Sequence, residues 1–186
     1  MMHSKISTPF LRKQIIMAIH KMAPMFKLST EEVSLAKQFT IRRTLKHSLS
    51  IYKEHDEQIP AYAYLHGFFY FPVKDKYPEV EAIDSDAIIS HEVGHHLHKI
   101  VNPHISEGVR TFVRTGKLPR GHSELCEIVA EYANLFSGIR GCDDSLYESV
   151  YRDPIRVYLK YGPEFLPVLA RISLDEAVRR RLIKWA

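Results

Sequence analysis

Acid is missing from the first thirty residues of this chain, which carry five Lys and Arg and no Asp or Glu. Such a segment suits a nucleic-acid or membrane-surface contact, or an organelle transit segment. The more economical reading is a solvated basic helix face. The imbalance is local. Residues 1–58 hold ten Lys and Arg against five acids, and the remainder holds sixteen against seventeen. Long apolar runs are missing as well. The most apolar N-terminal stretch, Ile15 to Ile19, is cut by His20 and Lys21. It is too short for a membrane span or a signal-peptide core. Cysteine is scarce: Cys126 and Cys142 cannot build a disulfide framework, so a reduced, cytoplasmic setting is expected. With 45% hydrophobic and 26% charged residues, the chain is not disordered and has enough apolar matter for one core.

Periodicity organises what is present. Leu11, Ile15, Ala18, Ile19 and Met22 fall on one side of a predicted helix over 9–24, which Pro24 ends. Ser29 and Glu32 form a capping box, predicting a second helix to about residue 55. The period changes after Pro60. The aromatic-rich stretch 61–73 predicts two short strands around His66-Gly67. Asp84 or Ser85 can cap a helix to about Val101, and 102–121 reads as a loop with one short helix at 107–115. Ser123 is the expected cap of a further helix that ends near Gly138 or Gly141. The C-terminal part is helical in pieces, the last opening at Ser173 and Glu176. The expected fold is therefore α+β and mostly helical, with a small sheet. It divides into an N-terminal helical segment (1–58), a core (59–144) and a C-terminal helical segment (145–186).

The chemistry sits in His91-Glu92-Val93-Gly94-His95. Two imidazoles four residues apart lie one turn apart on one helix face and can reach one ion. Zinc suits neutral nitrogen ligands. Glu92 is rotated by about 100° from His91, which puts it beside a metal rather than on it, where a general base for a metal-bound water belongs. Gly94 lets another helix approach closely. A catalytic zinc site needs a third protein ligand. A histidine six residues after His95 would supply it in one zincin class, but that position is Val101. An acid from a separate helix is the alternative, and the next helix offers Glu124, Glu127 and Glu131. Glu127 and Glu131 lie one turn apart on one face, and Asn134 and Gly138 continue the stripe. Buried carboxylates of this kind need a counter-charge, which zinc supplies. The other histidines near the motif, His96, His98 and His104, read as surface residues, and Cys126 as a small buried one.

H-E-x-x-H followed on a second helix by E-x-x-A-E resembles the gluzincin zinc metallopeptidases. It is most similar to the minimal gluzincins and the catalytic domain of anthrax lethal factor, and also to the ImmA/IrrE-like regulatory proteases. The resemblance covers about residues 84–138. It implies a zincin-like core with Glu127 as the third ligand and Glu131 as the carboxylate that steadies a ligand histidine, expected to be His91. It also implies that the strand at 68–73 is the edge to which an extended peptide adds. Such peptidases often place a Tyr ahead of the ligand Glu to stabilise the oxyanion. Here Arg120 and His122 stand there, and His122 is the candidate for that role. The implied function is zinc-dependent hydrolysis of a peptide or protein substrate by a water that Glu92 activates. The alternatives are a zinc-containing regulatory or binding protein, contacting nucleic acid or a partner through its basic N-terminal helices, and a latent peptidase blocked by its C-terminal segment. No motif sets an oligomeric state.

Overall fold

The computed structural model describes residues 8–44, 63–65, 68–72, 85–115, 121–137, 156–157 and 159–183. Helix α1 (Thr8–Met22) buries the five residues that its periodicity selects: Leu11, Ile15, Ala18, Ile19 and Met22. Helix α2 (Thr30–Ala36) opens on a genuine capping box. Ser29 Oγ accepts from the Glu32 N–H, and Glu32 accepts from the Ser29 N–H at 2.7 Å.

The chain does not stay helical to residue 55. It leaves α2 at Lys37, buries Phe39, and enters strand β1 (Thr40–Thr44). Thr40, Ile41 and Thr44 are β-branched and suit a pleated sheet better than a helix. What decides the matter is a distant partner. β1 pairs in parallel with β3 (Phe68–Pro72), which also pairs antiparallel with β2 (Ala63–Leu65). The hairpin expected over 61–73 is thus present as β2 and β3. The order β1-β3-β2 puts β3 in the middle, hydrogen-bonded on both sides. β3 is therefore not the edge strand that the sequence led us to expect, and it has no free side for a peptide.

The remaining long elements are helices, and the fold is α+β and mostly helical, as expected. α3 spans Ser85–Val101, α4 Pro103–Thr115 and α5 His122–Ser137. α4 is longer than expected because Asn102 caps it. Asn102 Oδ1 accepts from the N–H groups of His104 (3.1 Å) and Ile105 (3.3 Å), while Pro103 sits where a missing N–H costs nothing. α5 starts two residues earlier than expected. Gly121, at φ 74°, turns the chain, and its carbonyl accepts the first helical bond from Leu125. Ser123 is therefore inside the first turn and not the cap. At the C-terminal end, Ser173 does cap a short helix (Leu174–Arg179), accepting from the Glu176 N–H at 3.2 Å.

α3 is the central element. It packs against α1, α2, α4, α5 and β2. This leaves it little solvated surface, and it overturns the surface reading of His96 and His98, which are both buried. His96 Nε2–H donates to the Ala36 carbonyl at 2.8 Å, with its ring edge-on to Phe39 and Phe69. His98 is held neutral by burial, which lowers its pKa to about 3. His104 is exposed, as expected.

One hydrophobic cluster runs from Leu11 through Val93, Leu97 and Val129 to Leu182, so the N-terminal and C-terminal segments share a core with α3 and α5. Polar ties lock the C-terminal segment on. Tyr132 of α5 donates its hydroxyl to the Gly162 carbonyl. Asn102 Nδ2 donates to the carbonyls of Ala170 (3.1 Å) and Ile172 (2.9 Å). One side chain thus caps α4 and anchors the C-terminal segment to the end of α3. Asn102→Ala leaves one buried and one part-buried carbonyl and a helix start without this partner, which should cost about 3 kcal/mol in chemical denaturation. Asn102→Asp keeps the cap but not the donors, and it should fall between the two. Equal stability of Asn102→Ala and wild type would refute this role.

Candidate metal centre

Four side chains from two helices meet where α3 crosses α5. α3 presents His91 and His95 one turn apart, and α5 presents Glu127 and Glu131 one turn apart. The helices can come this close because Gly94 has no side chain. A Cβ on Gly94 would stand 2.8 Å from the Ala130 Cα, inside any permitted contact. The expected role of Gly94 is therefore the observed one.

Three donor groups converge. His95 Nε2 lies 3.0 Å from His91 Nε2. Glu127 offers Oε2 to His91 Nε2 at 3.2 Å and Oε1 to His95 Nε2 at 3.4 Å. Donors bound tetrahedrally to one ion at about 2.0–2.1 Å stand about 3.3–3.4 Å from one another, so these spacings fit a zinc-sized ion. The orientation of His91 fits too. Its Nδ1 faces Glu131 Oε2 at 3.4 Å and its Nε2 faces His95 and Glu127, so the neutral ring that a metal needs would keep its proton on Nδ1 and its lone pair on Nε2. Asn134 Nδ2 donates to the same Glu131 oxygen at 3.4 Å. The sequence placed Asn134 on this stripe without showing that it supports Glu131. Glu131 and Asn134 are both buried.

Glu92 is part of the group as well. A carboxylate oxygen of Glu92 lies within 4.8 Å of ring nitrogens of both His91 and His95, so His91, Glu92 and His95 together can hold a metal ion. Glu127, which meets the two rings at 3.2 and 3.4 Å, is a further candidate for the third ligand.

The charges are arranged as a metal site needs. Burial lowers the pKa of His95 to about 4, against the pull of Glu127, so this ring is neutral with a lone pair to give. Burial also acts to lower His91, but its hydrogen bonds to Glu127 and Glu131 outweigh it and raise that pKa well above 6.5. Burial would raise Glu127; His95 and His91 overcome it and hold the carboxylate at about 2. The cluster thus attracts positive charge to the point where Glu127 faces the two rings.

His122 is placed differently from the role expected of it. The ring is buried, and its Nε2–H donates to the Ile105 carbonyl at 3.2 Å. Its pKa is lowered by burial, so it is neutral, and its Nδ1 is a bare acceptor 3.8 Å from the Cys126 sulfur. In this arrangement the ring has no N–H left to offer an oxyanion. Its contact with Gly108, where an added Cβ would fall 2.3 Å from a ring carbon, shows that it packs α5 against α4. Cys126 is partly buried, and burial pushes its thiol pKa up, so it remains a thiol. Arg120 lies outside the described residues.

No protein-family model, curated protein or solved structure matches this chain.

The close crossing yields a test. Gly94→Ala should push α5 away and weaken metal binding by about tenfold or more, with about 1–3 kcal/mol lost to overpacking. Ala130→Gly should not rescue it, because the closest clash is with the Ala130 Cα. Unchanged affinity in a metal titration of Gly94→Ala would show that the crossing distance does not set the site.

Proposed function

We propose that this chain is a zinc-dependent peptidase of the gluzincin type. The observation that carries the reading is the convergence of His91 Nε2, His95 Nε2 and Glu127 at 3.0–3.4 Å, with Glu131 behind His91 and Glu92 alongside. Two nitrogens and one carboxylate are a donor set that suits zinc. Three protein ligands leave one position open, which is the pattern of a catalytic site; structural zinc sites are usually closed by four.

Zinc, when bound, supplies Lewis acidity that polarises a substrate carbonyl and eases ionisation of a water. The chain's own groups do the rest. His91 and His95 hold the ion from one helix, and Glu131 fixes the His91 tautomer. Glu92 accepts a proton from the attacking water as the water oxygen bonds to the peptide carbonyl carbon. It then delivers that proton to the amide nitrogen as the carbon–nitrogen bond breaks, which returns Glu92 to its carboxylate form. Both products keep all their atoms, and no oxidant or further reactant is required. A binding or regulatory protein would need the metal but not Glu92.

Two experiments test this. Purified protein should carry close to one zinc per chain. His91→Ala and Glu127→Ala should lose most of it, and Glu131→Ala should lose about 10–100-fold in affinity, the usual cost of removing a partner behind a ligand. Protein that holds no zinc and takes up none on addition would end the metal assignment. For the chemistry, Glu92→Gln should keep fold and zinc while hydrolysis of a broad peptide library falls by about 10²–10⁴-fold, the usual contribution of a general base. If the zinc-loaded wild type is inert on that library, the protein is a zinc-containing regulatory or binding protein.

A further inference from the structure

Four polar side chains share one face of α3. At about 100° per residue, His91, His95, His98 and Asn102 fall within an arc of about 60°. The last of them is fixed by four backbone partners. Asn102 Oδ1 accepts from His104 and Ile105, and Nδ2 donates to Ala170 and Ile172. Its amide cannot be turned around without losing all four. His98 Nε2 stands 3.4 Å from that Nδ2. An NH2 group has no lone pair to offer, so Nε2 is the bare nitrogen of the His98 ring. Burial keeps the ring neutral, and a neutral imidazole carries one proton, which is therefore on Nδ1. His98 is fully buried, and its Nδ1 has no hydrogen-bond partner. A buried N–H without an acceptor is rare in folded proteins and calls for one.

Two neighbouring rings complement it. His95 turns Nε2 toward His91 and Glu127, and among the described residues its Nδ1 has no partner. When Nε2 gives its lone pair to an ion, Nδ1 carries the proton. His122 is the reverse: Nε2–H donates to the Ile105 carbonyl, and the Nδ1 lone pair meets only the weak Cys126 S–H donor, at 3.8 Å. The three rings stand close enough to feel one another. His95 and His122 both help to lower the pKa of His98, and His122 helps to lower that of His95. Side chains on a helix lean toward its N-terminus, which brings His98 over the turn that carries His95. We propose that one internal water joins these rings, accepting from His95 Nδ1 and His98 Nδ1 and donating to His122 Nδ1, and that His98 thereby positions the ligand His95. A buried water ordinarily makes about three hydrogen bonds, and two N–H donors with one lone pair supply three. A metal ion does not suit the place, because two of the nitrogens carry protons. Nor do the donor atoms of these three rings gather within 4.8 Å of one another. A bridging water reaches farther, across about 5–6 Å from one partner to the next. Glu131 supports the outer nitrogen of His91, and the water gives His95 its counterpart. The positioning role rests on the metal reading, whereas the water itself does not.

The first test needs no metal. In the metal-free full chain, long-range proton–nitrogen NMR correlation of the imidazoles should find His98 protonated on Nδ1. A crystal structure of the same protein should show an ordered water within about 3.2 Å of Nδ1 of His95, His98 and His122. A proton on His98 Nε2, or no water at this place, overturns the proposal whether or not the protein takes up zinc. The second test reads the positioning role by chelator competition for zinc. His98→Phe fills the space without an N–H and should lower zinc affinity by about 10–100-fold. His98→Asn puts an amide N–H near the place of Nδ1 and should keep affinity within about threefold of wild type, although its smaller side chain lowers the melting temperature more. A purely structural role predicts the opposite order, with affinity following stability, and that order overturns the positioning role. So does wild-type affinity in His98→Phe. If His98→Phe does not fold, loss of affinity by His98→Asn to the same extent as its loss of stability overturns the role instead. A wild type that takes up no zinc ends the metal reading and the positioning role with it, and the water then stands or falls on the first test.

Discussion

The contact between Gly94 and the Ala130 backbone is the constraint on which the rest of this structure turns. Helices normally cross about 8–10 Å apart, at a distance set by the side chains between them. Gly94 contributes none, and Ala130 contributes a single methyl. α3 and α5 can therefore touch one turn away from the point where the His91 and His95 rings meet the Glu127 carboxylate. A carboxylate side chain is short, so a wider crossing would leave Glu127 out of reach of both rings. Packing and chemistry are the same fact at this place: the small residues that close the core also set the ligand spacing.

A helix held this tightly has to be surrounded, and α3 is. The cost is polar groups in the interior, and the structure meets it with specific partners. His96 finds the Ala36 carbonyl, and Asn102 serves two backbone N–H groups of α4 and two carbonyls of the C-terminal segment. Arg171 reaches the Phe26 carbonyl at 2.7 Å and ties the C-terminal segment to the turn after α1. All but the two N–H bonds of the α4 cap join segments far apart in sequence. The helix that carries His91 and His95 is thereby held along its C-terminal half, which helps those side chains to keep their geometry.

Much of this was legible in the sequence where the signal is local. The H-E-x-x-H spacing, the apolar stripe of α1, the Ser29 and Ser173 caps and the β2–β3 hairpin are all written within a few residues. Glu127 and Glu131 needed one more step, the pairing of two helices, and the structure brings both to His91 as the E-x-x-A-E pattern implied. What could not be read is non-local. Thr40–Thr44 becomes a strand because Phe68–Pro72 lies beside it, and a capping box at Ser29 says nothing of that partner. β3 was expected at the edge on the resemblance alone, and the hairpin's own residues do not show the third strand beside it. His96 and His98 looked solvated because histidine is polar, yet the surroundings of α3 decide their burial. The length of α4 rested on Asn102, whose side chain reads from sequence as a loop residue and acts as a cap.

The electrostatics of the centre explain why these residues belong together. Two neutral imidazoles with lone pairs 3.0 Å apart repel, and a carboxylate beside them adds negative charge. Buried groups of this kind are costly unless a positive charge stands at their meeting point. A proton on His91 meets part of that demand, which is why its pKa is raised while that of His95, four residues on, is lowered to about 4. One proton cannot bond to both rings and to Glu127 together, because it lies along a single donor–acceptor line. A divalent cation can, since it accepts a lone pair from each donor at once and at the spacing they already hold. Glu131 strengthens the preference. Accepting from His91 Nδ1 at 3.4 Å, it would keep a neutral ring's proton on the outer nitrogen and leave Nε2 for an ion. The same field reaches Glu92, whose carboxylate helps to raise the His91 pKa. On the proposed reading, the groups that would attract a metal therefore also place Glu92 where a base for its water belongs.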